Sequence, residues 1–315
     1  MNNNFTFSSY INLKLNEYVE SLENGVFFGQ NVISGSRISG LGARMESHKH
    51  ILSLNTQNSE NTLFGMGFGL SIEGIPSIYL MKQHDFALLA IDHMVNTARL
   101  IKNRSNLATF LALMVVVDSG YEGPQSNLNN LEDFYSISQA RISLLNSKNA
   151  IDHAFKNISR EFEIFAISQK SLKSTIPSEQ PSTFMDGFLL SNSLEISEKS
   201  KPVLVNCGLV SDAFELCVNY LHEKKVDFEI IRQIEINLEE NTKLIRKLAK
   251  AGRKFVIFDS SKSVNKTSTH FCYTLKEKDS RVLYLKRQDS DHWNRVDHDQ
   301  LQIDNQVVFD FLMSR

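Results

Sequence analysis

Residues 203–259 read VLVNCGLVSDAFELCVNYLHEKKVDFEIIRQIEINLEENTKLIRKLAKAGRKFVIFD. Short apolar runs at 203–207, 228–231 and 255–259 are separated by longer stretches, 212–224 and 238–250, with helical spacing of apolar residues. The order is strand, helix, strand, helix, strand. Such alternation predicts a mainly parallel sheet covered by helices, because parallel neighbours need a crossover long enough to hold a helix. Asn237 with Glu240 predicts a capped start for the second helix, and Gly252 stands where a left-handed helix stop is expected.

Upstream of this block, SLKSTIPSEQPST and SNSLEISEKSK are poor in large apolar residues and hold two of the five prolines. That composition predicts a linker over 171–200, with one domain at 1–170 and another at 201–315. Within the first domain, strands are predicted at 26–29, 51–54, 75–81, 111–117 and 164–167. Helices are predicted at 11–22 and 86–101, with a Gly- and Ser-rich loop at 34–42. The second helix is expected to bury Leu88, Leu89, Ile91, Val95, Ala98 and Ile101 on one face. The expected fold class is α/β, with two domains that are each a mainly parallel sheet flanked by helices.

Bulk properties narrow the function classes. Lys and Arg number 34 against 36 Asp and Glu in 315 residues, a formal charge of -2 that gives no broad pull toward nucleic acid or anionic lipid. Cys207, Cys217 and Cys272 are odd in number and lack metal-ligand spacing, which suits a reducing compartment. The N-terminal residues have neither the basic start nor the apolar core of a signal peptide, and no stretch reaches transmembrane length. A cytoplasmic protein is expected, with no nucleic acid and no membrane partner.

The first chemistry-bearing run is Thr56-Gln57-Asn58-Ser59-Glu60-Asn61, which leads into Gly65, Gly67 and Gly69 and then Glu73-Gly74-Ile75-Pro76. On its own it is a polar loop entering a helix, with Ser59 and Glu60 as helix-start residues. The glycines allow the helix to approach its neighbours closely. His84-Asp85-Phe86, Ala90-Ile91-Asp92-His93 and Gly123-Pro124-Gln125-Ser126 follow in order. His48 and His50, at period two on a strand, have no third ligand nearby, so no metal site is expected.

In this order of landmarks, with Phe28-Gly29 before them, the run from 26 to 168 resembles the beta subunit of thiamine diphosphate-dependent 2-oxoacid dehydrogenase decarboxylase components and the pyrimidine-binding domain of transketolase. Residues 203–208 and 254–259 resemble the first and third strands of the transketolase C-terminal domain, with Asp259 where that family commonly has Glu. The resemblance implies that Glu60 hydrogen-bonds N1′ of the cofactor's aminopyrimidine and that Phe86 stacks on its ring. His84, Tyr121, Gln125 and Ser126 become candidates for the substrate pocket.

Two departures shape the functional expectation. The Gly-Asp-Gly motif with a distant Asn, which holds diphosphate and Mg²⁺ in these enzymes, is missing, and Met185-Asp186-Gly187 is only an imitation of it. The resemblance then implies an alpha-type partner subunit carrying that half of the site and its Mg²⁺, in an alpha2beta2 assembly. Ser126 stands where the family has His, and a hydroxyl does not take up a proton near neutral pH as an imidazole does. A transketolase-like or acyloin-forming reaction on a 2-oxoacid, ketose or aldehyde is therefore expected first. A true 2-oxoacid dehydrogenase component, or a degenerate assembly or regulatory subunit, is the alternative.

Overall fold

The computed structural model describes residues 5–102, 104–118, 128–176, 182–191, 201–209, 212–287, 301 and 303–314. They form two sheets, each covered by helices on both faces. The first sheet contains β1 (Gly25–Gly29), β2 (Ile51–Asn55), β3 (Ser77–Met81), β4 (Phe110–Val116), β5 (Arg141–Leu144) and β6 (Phe162–Ser168). Their order is β5-β6-β4-β3-β1-β2, and all of these pairs are parallel. The second sheet, ordered β13-β12-β9-β10-β8-β7, has a parallel core of β9 (Val203–Cys207), β10 (Glu229–Gln233), β12 (Lys254–Asp259) and β13 (Arg281–Lys286). The strand and helix alternation expected at 203–259 is observed.

Strand composition explains the layering. Every residue of β3 and β4 is buried, as expected for central strands covered on both faces. Side chains alternate between the faces: Phe110, Ala112, Met114 and Val116 join one core, and Leu111, Leu113 and Val115 the other. α2 (Glu60–Ile72) and α4 (Leu131–Ser138) cover the first face, while α1 (Phe7–Glu20) and α5 (Lys148–Lys156) cover the second. In the second sheet, α7 (Leu238–Leu248) and α8 (Thr267–Lys276) pack on one face and α6 (Asp212–Glu223) and α9 (Asn305–Met313) on the other. α3 (Ala98–Ile101) is a single turn.

Several local expectations change. The stretch expected as a linker carries β7 (Ser182–Met185) and β8 (Phe188–Ser191), a hairpin that pairs antiparallel with β10 at the edge of the second sheet. Met185-Asp186-Gly187 is part of its turn, with Asp186 and Gly187 both at positive φ as a two-residue hairpin turn requires. The single helix expected at 86–101 is a 3₁₀ segment, His84–Ala90, then a π segment, His93–Thr97, then α3. Each change of pitch resets the angular position of later side chains, so Leu88 and Leu89 are exposed while Met94 and Ile101 are buried. Asn237 does cap α7, accepting from Glu240 N at 3.1 Å, but the helix ends at Leu248 and Gly252 serves the turn beyond it. His48 and His50 precede β2 and bind Asn16 Oδ1 and the Val19 carbonyl.

The two halves are joined by backbone as well as side chains. β11 (Glu235–Ile236), which follows β10, pairs antiparallel with β5 and becomes the seventh strand of the first sheet. Arg141 binds Glu235 at 2.6 Å and Glu163 at 3.3 Å. At the start of α4, Asp133 accepts from Val264 N and Asn265 N at 3.1 Å each, and Glu132 accepts from Thr267 N at 3.2 Å. These N–H groups lead into α8, whose N-terminal end favours negative charge. Burial, reinforced by the charge of Asp259, nevertheless raises the Glu132 carboxyl to about 8.

α2 lies close to β4 because of one glycine. A Cβ on Gly67 would stand 2.3 Å from the Phe110 ring, whereas one on Gly69 meets nothing within 4 Å. Gly67→Ala is expected to lower stability by about 1–3 kcal/mol through overpacking. Gly69→Ala is expected to gain up to ~1 kcal/mol from helix propensity. Denaturant unfolding of both variants checks this, and equal shifts would show that α2 is not held at Gly67. Folding protonates Glu132 at pH values between its ordinary 4.5 and about 8, so its contribution to stability is full below that window and is lost as pH rises through it. Glu132→Gln should therefore gain on the parent by about 1–3 kcal/mol between pH 5 and pH 8. Parallel melting-temperature curves across that range would place the titration elsewhere.

Candidate active site

In the first sheet β1 lies between β2 and β3, so the chain leaves β1 to one side and returns to the other. Open α/β sheets bind ligands beyond the carboxyl ends of the strands at such a reversal. Gly29 ends β1 there. Its φ is +151°, and a Cβ would lie 2.4 Å from the Leu80 carbonyl oxygen, so no side chain intervenes between β1 and β3. The Gly29 carbonyl accepts from Thr56 N at 2.9 Å, which brings the 56–59 loop and the start of α2 to the same edge.

Glu60 opens α2 and is 8 % exposed. Ser59 occupies the N-cap position but makes no capping bond, its hydroxyl instead donating to Thr62 Oγ1 at 2.8 Å. The helix start favours a carboxylate at Glu60, since the first-turn N–H groups carry partial positive charge. No described residue donates a hydrogen bond to that carboxylate, whose oxygens stay within reach of solvent at the sheet edge. It lies near Tyr79, whose hydroxyl is pushed up by burial and then by the charge of Glu60. Tyr79 stacks on Phe28 at 5.1 Å and meets Phe64 edge-on at 5.6 Å. An aromatic floor of three rings therefore stands beside the carboxylate.

The 3₁₀ segment after β3 brings His84, Asp85 and Phe86 to the carboxyl edge of the sheet. Phe86 is half-buried, with no ring contact to another described aromatic residue. His84 is fully buried, its Nε2 2.9 Å from Asn130 Oδ1 and its ring edge-on to Phe134 at 4.6 Å. Burial pushes its imidazole toward the neutral form, which suits a core position on α4. Asp85 Oδ1 accepts from Leu128 N at 3.0 Å. Tyr121, Gln125 and Ser126 lie outside the described residues. The edge thus gathers Glu60 and Phe86, while His84 turns into the protein.

Two titratable groups at this edge escape sequence reasoning. Asp118 follows the last residues of β4 and is buried, which raises it to about 6 despite a 2.5 Å bond from the Ser168 hydroxyl. Its signal was an acid placed directly after an eight-residue apolar run. Lys262, beyond β12, reaches the same edge from the second domain, with Nζ 3.5 Å from the Val117 carbonyl. A groove of about 1250 Å³ lies elsewhere, among Tyr135, Arg141, Glu235, Asn237, Arg246 and His270, and contains none of the expected site residues. Among the described residues no three His, Cys, Asp or Glu side chains are placed to hold a metal ion, and no helix is long and apolar enough to cross a membrane.

No protein-family model and no curated protein matches the sequence. Solved structures do match in fold. A split-gene transketolase, described as an inactive beta4 tetramer, superposes with a TM-score of 0.67 at 11% identity, covering 98% of this chain and 97% of that one. Transketolase from Campylobacter jejuni superposes with a TM-score of 0.68 at 12% identity, covering 99% of this chain and 47% of that one, so this chain spans about half its length. Two parallel-cored sheets in series, matched nearly end to end by both structures, give this chain a transketolase-like two-domain α/β fold.

Proposed function

We propose that the chain is the beta-type, pyrimidine-holding subunit of a split transketolase-type enzyme that works with thiamine diphosphate and an alpha-type partner. The observation that carries this reading is Glu60, a largely buried side chain whose carboxylate oxygens have no described donor and stay within reach of solvent, at the carboxyl edge of a sheet with the transketolase-like arrangement. An acceptor that lacks a partner inside the protein fits a ligand that brings its own N–H or shared proton. The aminopyrimidine of thiamine diphosphate has such a nitrogen. Phe86, half-buried at the same edge, offers a ring face for stacking.

Glu60 would hold a proton at N1′ and so set the tautomer of the pyrimidine. When bound, the cofactor supplies a carbanion centre and an electron sink for making or breaking a carbon–carbon bond beside a carbonyl. Tyr79, which feels the charge of Glu60, and its ring neighbours Phe28 and Phe64 form an apolar side to this edge. The diphosphate and Mg²⁺ fall to the partner, since the Gly-Asp-Gly motif is absent from all 315 residues. The description of the split-gene transketolase as an inactive beta4 tetramer supports dependence on a second kind of chain. Ser126 in place of His departs from the family's usual substrate chemistry and favours a transketolase-like or acyloin-forming reaction on a ketose, 2-oxoacid or aldehyde.

The test is exchange of the thiazolium C2 proton, followed by NMR after acid quench, in the complex of this chain with a partner that carries the diphosphate motif. Glu60→Gln is expected to slow exchange by about 10²-fold or more. Phe86→Ala is expected to weaken cofactor binding with a smaller effect on exchange in the saturated complex. Equal exchange rates in Glu60→Gln and the parent would remove Glu60 from the reaction.

A further inference from the structure

Lys262 belongs to the second domain, three residues beyond β12, yet it closes the carboxyl edge of the first sheet. Its backbone N donates to the Asn129 carbonyl at 2.7 Å, and its Nζ stands 3.5 Å from the carbonyl of Val117, the residue after β4. Asn129 in turn donates to the Ser260 carbonyl at 3.2 Å and the Ser261 hydroxyl reaches the Asn129 carbonyl at 3.3 Å, so the segment is fixed on both sides. Asp85, one residue before Phe86, anchors the neighbouring Leu128 N. The ammonium is thereby placed at the β3–β4 edge, one strand from the reversal where Glu60 opens α2.

Among the described residues, charges from both sheets act on it. Asp118 after β4 and Asp85 before Phe86 favour the ammonium, and Arg287 after β13 opposes it; Lys170, after β6, acts on Asp118. Burial outweighs the two carboxylates and brings the Lys262 amine down to about 7, while Asp118 rises to about 6. Both therefore exchange protons in the range where a general acid and base are effective. Lys262 keeps part of its surface open to solvent, so it is not sealed in the domain interface.

We propose that Lys262 is a further catalytic residue of the site, acting as proton acceptor and donor for the oxygen at the carbon whose bond is made or broken. The proposal rests on the split transketolase reading above. As the carbon–carbon bond opens, the neutral Nζ would take the hydroxyl proton of the departing fragment, whose oxygen becomes a carbonyl. The electron pair of the broken bond remains on the other fragment, where the bound cofactor would supply the electron sink. When a carbonyl acceptor adds, its oxygen takes the proton from Nζ and becomes a hydroxyl. The amine returns to its starting state, and no other reactant is needed.

The test separates this role from a structural one and from failure of the functional reading. In the holo complex, Lys262→Arg retains a cation that does not titrate near neutrality. Exchange of the C2 proton is expected to stay within about twofold of the parent, turnover of donor and acceptor to fall by about 10²-fold, and the neutral limb of its pH profile to vanish. A parental rate and pH profile in Lys262→Arg overturns the role of Lys262 while Glu60-dependent exchange remains. Absence of Glu60-dependent exchange in the parent overturns the cofactor reading itself. Should Lys262→Arg not fold, ε-¹³C lysine NMR of the unsubstituted chain decides the point. One lysine midpoint near 7 supports the proposal, and a spectrum in which every lysine titrates above about 9 overturns it.

Discussion

The contact of Gly67 with the Phe110 ring fixes where the chemistry of the first domain can stand. α2 is thirteen residues long, and its first residue is Glu60. A helix held this close to the sheet cannot tilt or slide without driving backbone into a buried ring, so its first turn is placed as firmly as its middle. The same packing keeps Phe64 against Tyr79 and Phe68 against Phe110. The carboxylate at the head of this helix thus stands near Tyr79, in an aromatic cluster where no described residue donates to it. That combination leaves a strong acceptor oriented by packing and open to an incoming partner.

The second domain does more than follow the first. Glu132 and Asp133 hold the backbone at 264–267, Asn129 holds 260, and Lys262 reaches back to Val117, so five hydrogen bonds bridge the halves near the carboxyl edge. At the far edge β11 completes the sheet. Any rotation of one domain against the other breaks buried hydrogen bonds at both places. The position of Lys262 relative to Glu60 is therefore set by the interface as a whole and not by the flexible lysine stem alone.

How much of this the sequence discloses depends on whether a residue's environment is local. The 203–259 alternation is legible because β9 and β12 are central strands with continuous apolar runs and α7 carries its own cap. Gly67 is legible as a residue of close approach, though Gly69 in the same pattern has no neighbour to approach. β7 and β8 are hidden because a short edge hairpin needs few apolar residues, and its Asp186-Gly187 turn resembles a broken phosphate motif. The 84–101 segment defeats a 3.6-residue period by changing pitch twice. Glu60 and Phe86 stand out through motif order, whereas Asp118 and Lys262, which are 144 positions apart in sequence, meet only after the domains dock.

The placement of β11 also bears on synthesis. Arg141 and Glu235 are 94 positions apart, yet they meet across the last strand pair of the first sheet. While the chain emerges from the ribosome, β5 is made long before the strand that covers it, so the nascent first domain presents a bare strand edge. An unpaired edge is a template for wrong pairing with another chain. Arg141 places a charge at the start of that edge, which discourages such pairing until β11 arrives. Separate expression of the first domain would remove Leu209 and Ile236 from its core and make this interval permanent.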